Sequence, residues 1–113
     1  MPVAEGSFLT IECGFKVVEG TVAGLTCRWR HGRATLRPGE IEFRPYVFIK
    51  PFKWRKVSIP VARVDLDNRT VAGIGSAFSV MPGVVVIPVV TSKAILEWAV
   101  RPLDVDQAVA ALA

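Results

Sequence analysis

The chain has 113 residues, of which 51% are hydrophobic, and it carries a formal net charge of +4. This length allows one domain with one core. The longest apolar run, Val84 to Val90, includes Pro88 and falls well short of the ~20 residues that a membrane-spanning helix needs. The N-terminal stretch has no basic segment ahead of an apolar run, so no signal peptide is expected.

The charge is distributed unevenly. Between Arg28 and Lys56 there are nine basic and two acidic residues, a local charge of +7, whereas the other residues carry five bases and eight acids, a local charge of −3. Such asymmetry suits an anionic partner, either a lipid surface or a nucleic acid. A face that only keeps the protein in solution would have the same composition.

Two cysteines, Cys13 and Cys27, are present. A small secreted fold more often carries four or more, so two cysteines fit a reducing cytosol. We therefore expect a cytoplasmic protein, either free or peripheral to the inner face of the membrane. Whether the two cysteines pair stays open at this point.

Apolar and polar residues alternate with the period of β-strands through nearly the whole length of the chain. Residues 21–30 are predicted to form a strand with Leu25, Cys27 and Trp29 facing inward. A two-residue turn is expected at His31–Gly32, since glycine is common in tight turns.

Further strands and turns follow. A second turn is expected at Pro38–Gly39 because proline fixes its φ and glycine accepts a positive φ. Residues 40–49 and 52–59 are predicted to form a hairpin with its tip at Lys50–Pro51. Its inward side chains would be Ile41, Phe43, Val47, Ile49, Val57 and Ile59.

The second half of the chain is predicted to finish the sheet and add one helix. A turn is expected at Asp67–Asn68, followed by a strand, by a central strand over 84–90 that is buried on both faces, and by a strand over 92–100. The inward residues of that last strand would be Ala94, Leu96, Trp98 and Val100. Asp104 is a plausible N-cap of an amphipathic helix that carries Val105, Ala108, Val109 and Leu112 on one face.

These elements predict a mainly β fold: one domain over 1–113, with a core of about 21–113, in which seven antiparallel strands are followed by a C-terminal α-helix. Residues 7–18 are also β-prone and would add an N-terminal strand, although a short helix is an alternative for them.

This plan resembles the pleckstrin-homology-like (PH-like) barrels, and the local pattern is similar to their GRAM and bacterial PH branch. Gly32, Leu36, Ile41 and Phe43 match the Gly-x-x-x-Leu-Thr…Leu-x-Phe signature of those domains, with Arg37 in place of the usual threonine. The segment "SIPVARV" resembles their Ile-Pro-Leu-x-x-Ile segment through Ile59, Pro60, Val61 and Val64. The motif Trp-Arg-His-Gly at 29–32 also resembles an uncharacterised actinobacterial family. The resemblance implies a PH-like barrel closed by its terminal helix.

Catalytic and metal sites lack a recognisable pattern. His31 is the single histidine, and no serine has a nucleophile-elbow motif around it. Cys13, Cys27 and His31 are too loosely spaced for a zinc site. We therefore expect no enzyme activity, no cofactor, no metal and no small-molecule substrate.

The stretch "RPYVFIKPFKWRKV" at 44–57 is the strongest functional signal, since aromatic and basic residues alternate in it without an acid. Aromatic side chains surrounded by cations can anchor a protein in an anionic membrane. They can equally form a contact with another protein, including a second copy of the chain. Single-stranded nucleic acid is the alternative partner, because such rings can stack on bases. The predicted interaction residues are Phe48, Lys50, Phe52, Lys53, Trp54, Arg55 and Lys56.

A secondary basic patch is predicted from Arg28, Arg30 and Arg33. Arg28 and Arg30 would lie on the outer face of the strand over 21–30, and Arg33 just past the turn. In PH-like domains that bind phosphorylated lipids the first hairpin collects the basic residues, so the resemblance implies these three positions. The turn at His31–Gly32 would be too short to cradle a headgroup, and we expect charge-driven attraction without selectivity.

Overall fold

The computed structural model describes residues 9–46, 56–71 and 83–113 of the chain. Eight β-strands lie within these residues: β1 (Leu9–Gly20), β2 (Arg30–Arg37), β3 (Glu40–Pro45), β4 (Val57–Pro60), β5 (Arg63–Val64), β6 (Thr70–Val71), β7 (Val85–Val90) and β8 (Ala94–Val100). One α-helix, α1 (Val105–Leu112), follows them near the C-terminus. Every strand pairing is antiparallel.

The strands form one curled sheet in the order β4-β3-β2-β1-β8-β7-β5, and β6 also pairs with β7. The chain between β4 and β5 links the two ends of this order, because Val61 donates to the Gly39 carbonyl (2.9 Å) and Ala62 donates to the Val90 carbonyl (2.8 Å). The predicted fold class, a mainly β fold with a curled antiparallel sheet and a C-terminal helix, is therefore confirmed.

The N-terminal segment is the middle strand of the sheet. β1 pairs with β2 on one side and with β8 on the other, so the alternative of a short helix is wrong. Its inward side chains, Ile11, Cys13, Phe15 and Val17, are all buried. The predicted core that began at Thr21 left this strand out.

The inner face of the sheet is apolar throughout its centre. Phe15 packs edge-on against Phe43, with ring centroids 4.9 Å apart, and lies parallel to Trp98 at 5.9 Å. The predicted inward residues of β8 are all buried, and so are Ile41, Phe43, Val57 and Ile59 on the β3–β4 hairpin. The pairs Ile41–Ile59 and Phe43–Val57 confirm that the two predicted strands are antiparallel neighbours. Val47, Ile49 and the predicted tip at Lys50–Pro51 lie outside the described residues.

β7 is buried on both faces, as predicted. Ile87 and Val89 belong to the main core, whereas Val84 and Val86 form a second small cluster with Ala99 on the outer face. Trp29 packs against this second cluster.

α1 covers part of the inner face through its buried residues Ala108 and Leu112. The backbone N–H of Gly39, in the confirmed turn between β2 and β3, donates to the Leu112 carbonyl at 2.9 Å. Asp104 occupies the predicted N-cap position, but its carboxylate accepts a hydrogen bond from Arg101 Nε (2.9 Å) instead of from the helix backbone.

Two predictions in the first half of the chain are wrong. Residues 21–29 contain no strand, because Gly20 (φ 81°) and Gly24 (φ 94°) turn the chain back so that Val17 N–H reaches the Thr26 carbonyl at 2.9 Å. Leu25 is buried in this loop as expected, whereas Cys27 is exposed.

The predicted turn at His31–Gly32 is also wrong, because both residues lie inside β2 and pair with Gly14 and Cys13 of β1. Glycine is required at position 32 for a different reason. A Cβ atom there would lie 2.2 Å from the carbonyl oxygen of Arg44 on β3, so the two strands approach each other where only glycine fits.

Candidate interaction surface

Charged side chains gather on the outer face of β2, β3 and β4. Strand alternation turns Ala34, Leu36, Ile41 and Phe43 inward, and it turns the residues between them outward. We call the resulting surface the basic outer face. It consists of four bases and two acids, a net charge of +2: Arg33, Arg37, Arg44, Lys56, Glu40 and Glu42.

Glu42 is the centre of this surface. Its carboxylate lies 3.0 Å from Lys56 Nζ, 3.2 Å from Arg37 Nη1 and 4.0 Å from Arg44 Nη2. The hydrogen bond from Lys56 and then that from Arg37 lower the pKa of the Glu42 carboxyl below its usual value. The carboxylate is therefore ionised at neutral pH and holds three cations on one patch.

Lys56 is the one member of the predicted aromatic and basic hairpin that lies within the described part of the chain. It is exposed and contacts Glu42 from the start of β4. The other six predicted residues, Phe48, Lys50, Phe52, Lys53, Trp54 and Arg55, fall in 47–55, outside the described residues. Their role stays a prediction.

The secondary basic patch does not have the predicted geometry. Arg28 lies in the loop before β2, and Arg30 and Arg33 are three residues apart within the strand, so they alternate to opposite faces. Arg30 follows the parity of the buried residues Gly32 and Ala34, although it is itself exposed at the strand end. The described structure therefore brings Arg33, without the other two, onto the basic outer face.

A polar group lies at the edge of this face where β3 ends. Tyr46, which is 40% exposed, donates its backbone N–H to the His31 carbonyl at 2.9 Å. Partial burial, and a hydrogen bond from the Tyr46 hydroxyl to the Glu12 carboxylate, raise the pKa of that hydroxyl; the nearby Arg33 opposes the rise. Glu12 and Arg33 are cross-strand partners, so the three side chains form one cluster.

An aromatic group lies beside the same face. The Trp29 and His31 rings stack with centroids 6.4 Å apart, and Lys16 Nζ lies 5.5 Å from the centroid of the Trp29 ring. Lys16 also pairs with Glu97 on β8 at 3.2 Å. This group was not predicted from the sequence, because Lys16 and Glu97 lie on β1 and β8, and Trp29 and His31 lie just before and within β2. Their proximity depends on a pairing of β1 that the sequence pattern did not reveal.

Cys13 and Cys27 are both free thiols in different environments. Cys27 is exposed, whereas Cys13 is buried in the core. Burial raises the pKa of the Cys13 thiol to about 12, with a further increase from Asp104 and a partial decrease from the Trp98 N–H. Within 9–46, 56–71 and 83–113, no three His, Cys, Asp or Glu side chains are grouped so that they could hold a metal ion.

None of the helices in the described ranges is both long and apolar enough to cross a bilayer. Comparisons of the chain with protein-family models, with curated proteins and with solved structures find no match. The resemblance to GRAM and bacterial PH-type domains thus remains a prediction that rests on the residues named above.

Proposed function

We propose that this protein is a non-enzymatic interaction module that binds an acidic surface of a partner protein through the basic outer face. The observation that carries the proposal is the convergence of Lys56, Arg37 and Arg44 on the Glu42 carboxylate. These contacts hold long cationic side chains in place before a partner arrives, which lowers the entropy lost on binding.

The charge pattern favours a protein partner over a membrane or a nucleic acid. Glu42 and Glu40 lie among the four cations, and the lowered pKa of Glu42 keeps it ionised at neutral pH. A lipid surface or a phosphate chain presents negative charge throughout and would meet these carboxylates unfavourably. A protein surface can place acids opposite the cations and donors opposite the carboxylates.

The predicted hairpin would add aromatic side chains to the proposed binding surface. Residues 47–55 belong to the connection between β3, which carries Arg44, and β4, which directly follows Lys56. Phe48, Phe52 and Trp54 would then supply the apolar part of the contact, since aromatic residues rimmed by bases are typical of protein interfaces. If the partner is a second copy of the chain, size exclusion should show a dimer that Trp54→Glu converts to a monomer.

We further propose that the partner is met in the cytoplasm. Both cysteines are free thiols, which is the usual state in a reducing compartment.

The test compares charge reversal at two places. We expect Arg33→Glu with Arg44→Glu to weaken binding of a fluorescein-labelled polyglutamate peptide about tenfold, because each exposed ion pair contributes up to about 1 kcal/mol. The control, Arg63→Glu with Arg69→Glu, makes the same change in net charge at exposed positions on and after β5. Raised salt should weaken binding by the wild-type protein.

Three results would contradict the proposal. Equal losses in the two double variants would mean that net charge alone attracts the peptide. Binding to phosphatidylserine vesicles without binding to the peptide would identify a membrane surface as the partner. Tighter binding to a single-stranded oligothymidylate than to the peptide would favour the nucleic-acid alternative.

A further inference from the structure

A pocket lined in part by Gly14 opens on the outer face of the sheet, with a cavity volume of about 150 Å³. Strand register explains it. Gly14 lies between His31 on β2 and Ala99 on β8. Of these three neighbouring positions, His31 alone has a large side chain. Val84 completes the floor.

The walls of this pocket are fixed by contacts outside it. His31 lies over Gly14, where a Cβ atom would come within 2.9 Å of the imidazole Nδ1. The Trp29 ring stacks on His31, and Trp29 packs against the cluster formed by Val84, Val86 and Ala99. Because these groups are already in contact, the pocket exists without a ligand and binding needs little rearrangement.

The size of the pocket limits what it can hold. Sites for small-molecule ligands and cofactors are usually about 300–1,000 Å³, and this pocket is smaller. An apolar cavity of about 150 Å³ accommodates a molecule the size of benzene. The lining is mostly apolar, so a single leucine, isoleucine or phenylalanine side chain fits it better than a metabolite does.

The rim of the pocket joins it to the basic outer face. Tyr46 and Glu12 line the pocket, and Arg33 is the cross-strand partner of both Glu12 and Arg44. Arg101, whose guanidinium is held by Asp104 at 2.9 Å, also lines the pocket. An apolar side chain that enters the pocket therefore brings its neighbours in the chain next to arginine side chains.

We propose that this pocket receives one large apolar side chain from a partner segment whose flanking acidic residues lie on the basic outer face. This inference rests on the proposed function and adds to it the kind of segment that is recognised: acidic residues around a leucine, isoleucine or phenylalanine. The charges would attract the segment, and the pocket would fix its register.

The test is an NMR titration of the full chain with three capped pentapeptides. The first has four glutamates around a central leucine, the second replaces the leucine by alanine, and the third has four lysines around leucine. We expect the first to bind about tenfold tighter than the second, because burial of the larger side chain removes more apolar surface from water. The first should also shift the amide signals of Gly14 and Ala99.

Two variants address the pocket directly. Ala99→Leu should fill the floor and remove the preference for leucine over alanine, while the weaker charge-dependent binding stays. Its matched control is Ile95→Leu, on the same face of β8 but outside the pocket. If Ala99→Leu does not fold, Tyr46→Ala removes a wall from an exposed position and should give the same loss of preference.

The outcomes separate this inference from the proposed function. Equal affinity for the leucine and alanine acidic peptides would overturn the pocket and leave the basic outer face intact. No binding of any acidic peptide would overturn both. Equal affinity for the lysine and glutamate peptides would show that acidic flanks are not recognised. Amide shifts at Gly14 that depend on protein concentration without peptide would assign the pocket to a second copy of the chain.

Discussion

The two faces of the central strands differ in the interactions that their side chains make. On the inner face of β1, every residue from Ile11 to Val17 that points inward is buried, and Phe15 joins the rings of β3 and β8. On the outer face the same strand carries Glu12, Gly14 and Lys16, which lie against Tyr46, His31 and Glu97 respectively. Burial on the inner face supplies most of the stability, since exposed ion pairs contribute little. The outer face is therefore the part of the sheet that can be specialised for recognition.

The largest expected effect is the difference in thiol reactivity between the buried Cys13 and the exposed Cys27. Burial raises the pKa of Cys13 from 9.0 to about 12, so less of its thiol is ionised at neutral pH, and burial also blocks access. We expect Cys27 to react with iodoacetamide in the native protein and Cys13 to react only after denaturation. Mass spectrometry of alkylated peptides measures both, with Cys27→Ser as the control. Fast alkylation of Cys13 in the native state would mean that the core is open at this point.

Substitutions in α1 test whether the fold is destabilised when the helix no longer packs on the inner face of the sheet. Leu112→Asp should lower the free energy of unfolding by about 3 kcal/mol or more, because an aspartate at this buried position loses apolar contacts and has to be desolvated. Ala110→Asp, on the exposed side of the same helix, is the matched control and should change stability by less than about 1 kcal/mol. Equal denaturation midpoints for the two variants would mean that α1 does not pack on the sheet.

A substitution where β2 and β3 approach closely should cause a smaller loss of stability. Gly32→Ala should destabilise the fold by about 2 kcal/mol, because its Cβ would approach the Arg44 carbonyl to 2.2 Å and force β2 and β3 apart. Thr35→Ala on the same strand serves as control. Urea denaturation measures both. If Gly32→Ala were as stable as the control, His31–Gly32 would behave like the open turn predicted from the sequence.

Elements with local signals could be predicted from the sequence. Alternation fixed the inward residues of β8, because a strand that is half buried places every second side chain in the core. The turn at Pro38–Gly39 and the C-terminal helix likewise depend on short-range signals. The run over 84–90 indicated a strand buried on both faces, and the second cluster around Ala99 explains why both faces are apolar.

Three glycines explain the main errors in the predicted fold. Leu25, Cys27 and Trp29 alternate like a strand, but Gly20 and Gly24 adopt positive φ and convert the segment into a loop. The signal of Gly32 was also ambiguous, because a glycine needed for close strand approach and a glycine needed for a turn look the same in one sequence.

The candidate surface could be predicted only in outline. The run of bases from Arg28 to Lys56 indicated a basic region, yet the three-way contact of Glu42 depends on which strands are neighbours. The cluster of Glu12, Arg33 and Tyr46 requires β1 beside β2, a pairing that the sequence pattern left undetermined.

The smallest effect on stability is expected at Glu42. Its pKa is lowered in the folded state, so the carboxylate contributes stability above its unfolded pKa and loses it as the pH falls through the folded value. Glu42→Gln should therefore reduce stability at neutral pH by no more than about 1 kcal/mol, and the difference should vanish in acid well below 4.5, the ordinary glutamate value. Urea denaturation at the two pH values measures it, with Glu97→Gln as a control for a single ion pair. A difference that persists in acid would mean that Glu42 stabilises the fold by packing and not by charge.

The most direct test of the division between the faces measures stability and binding on one variant, Arg33→Glu with Arg44→Glu. If the basic outer face serves recognition, its affinity for the polyglutamate peptide should fall about tenfold while the free energy of unfolding changes by less than about 1 kcal/mol. Unchanged affinity together with a large loss of stability would contradict this account, because the outer charges would then support the fold and not a partner.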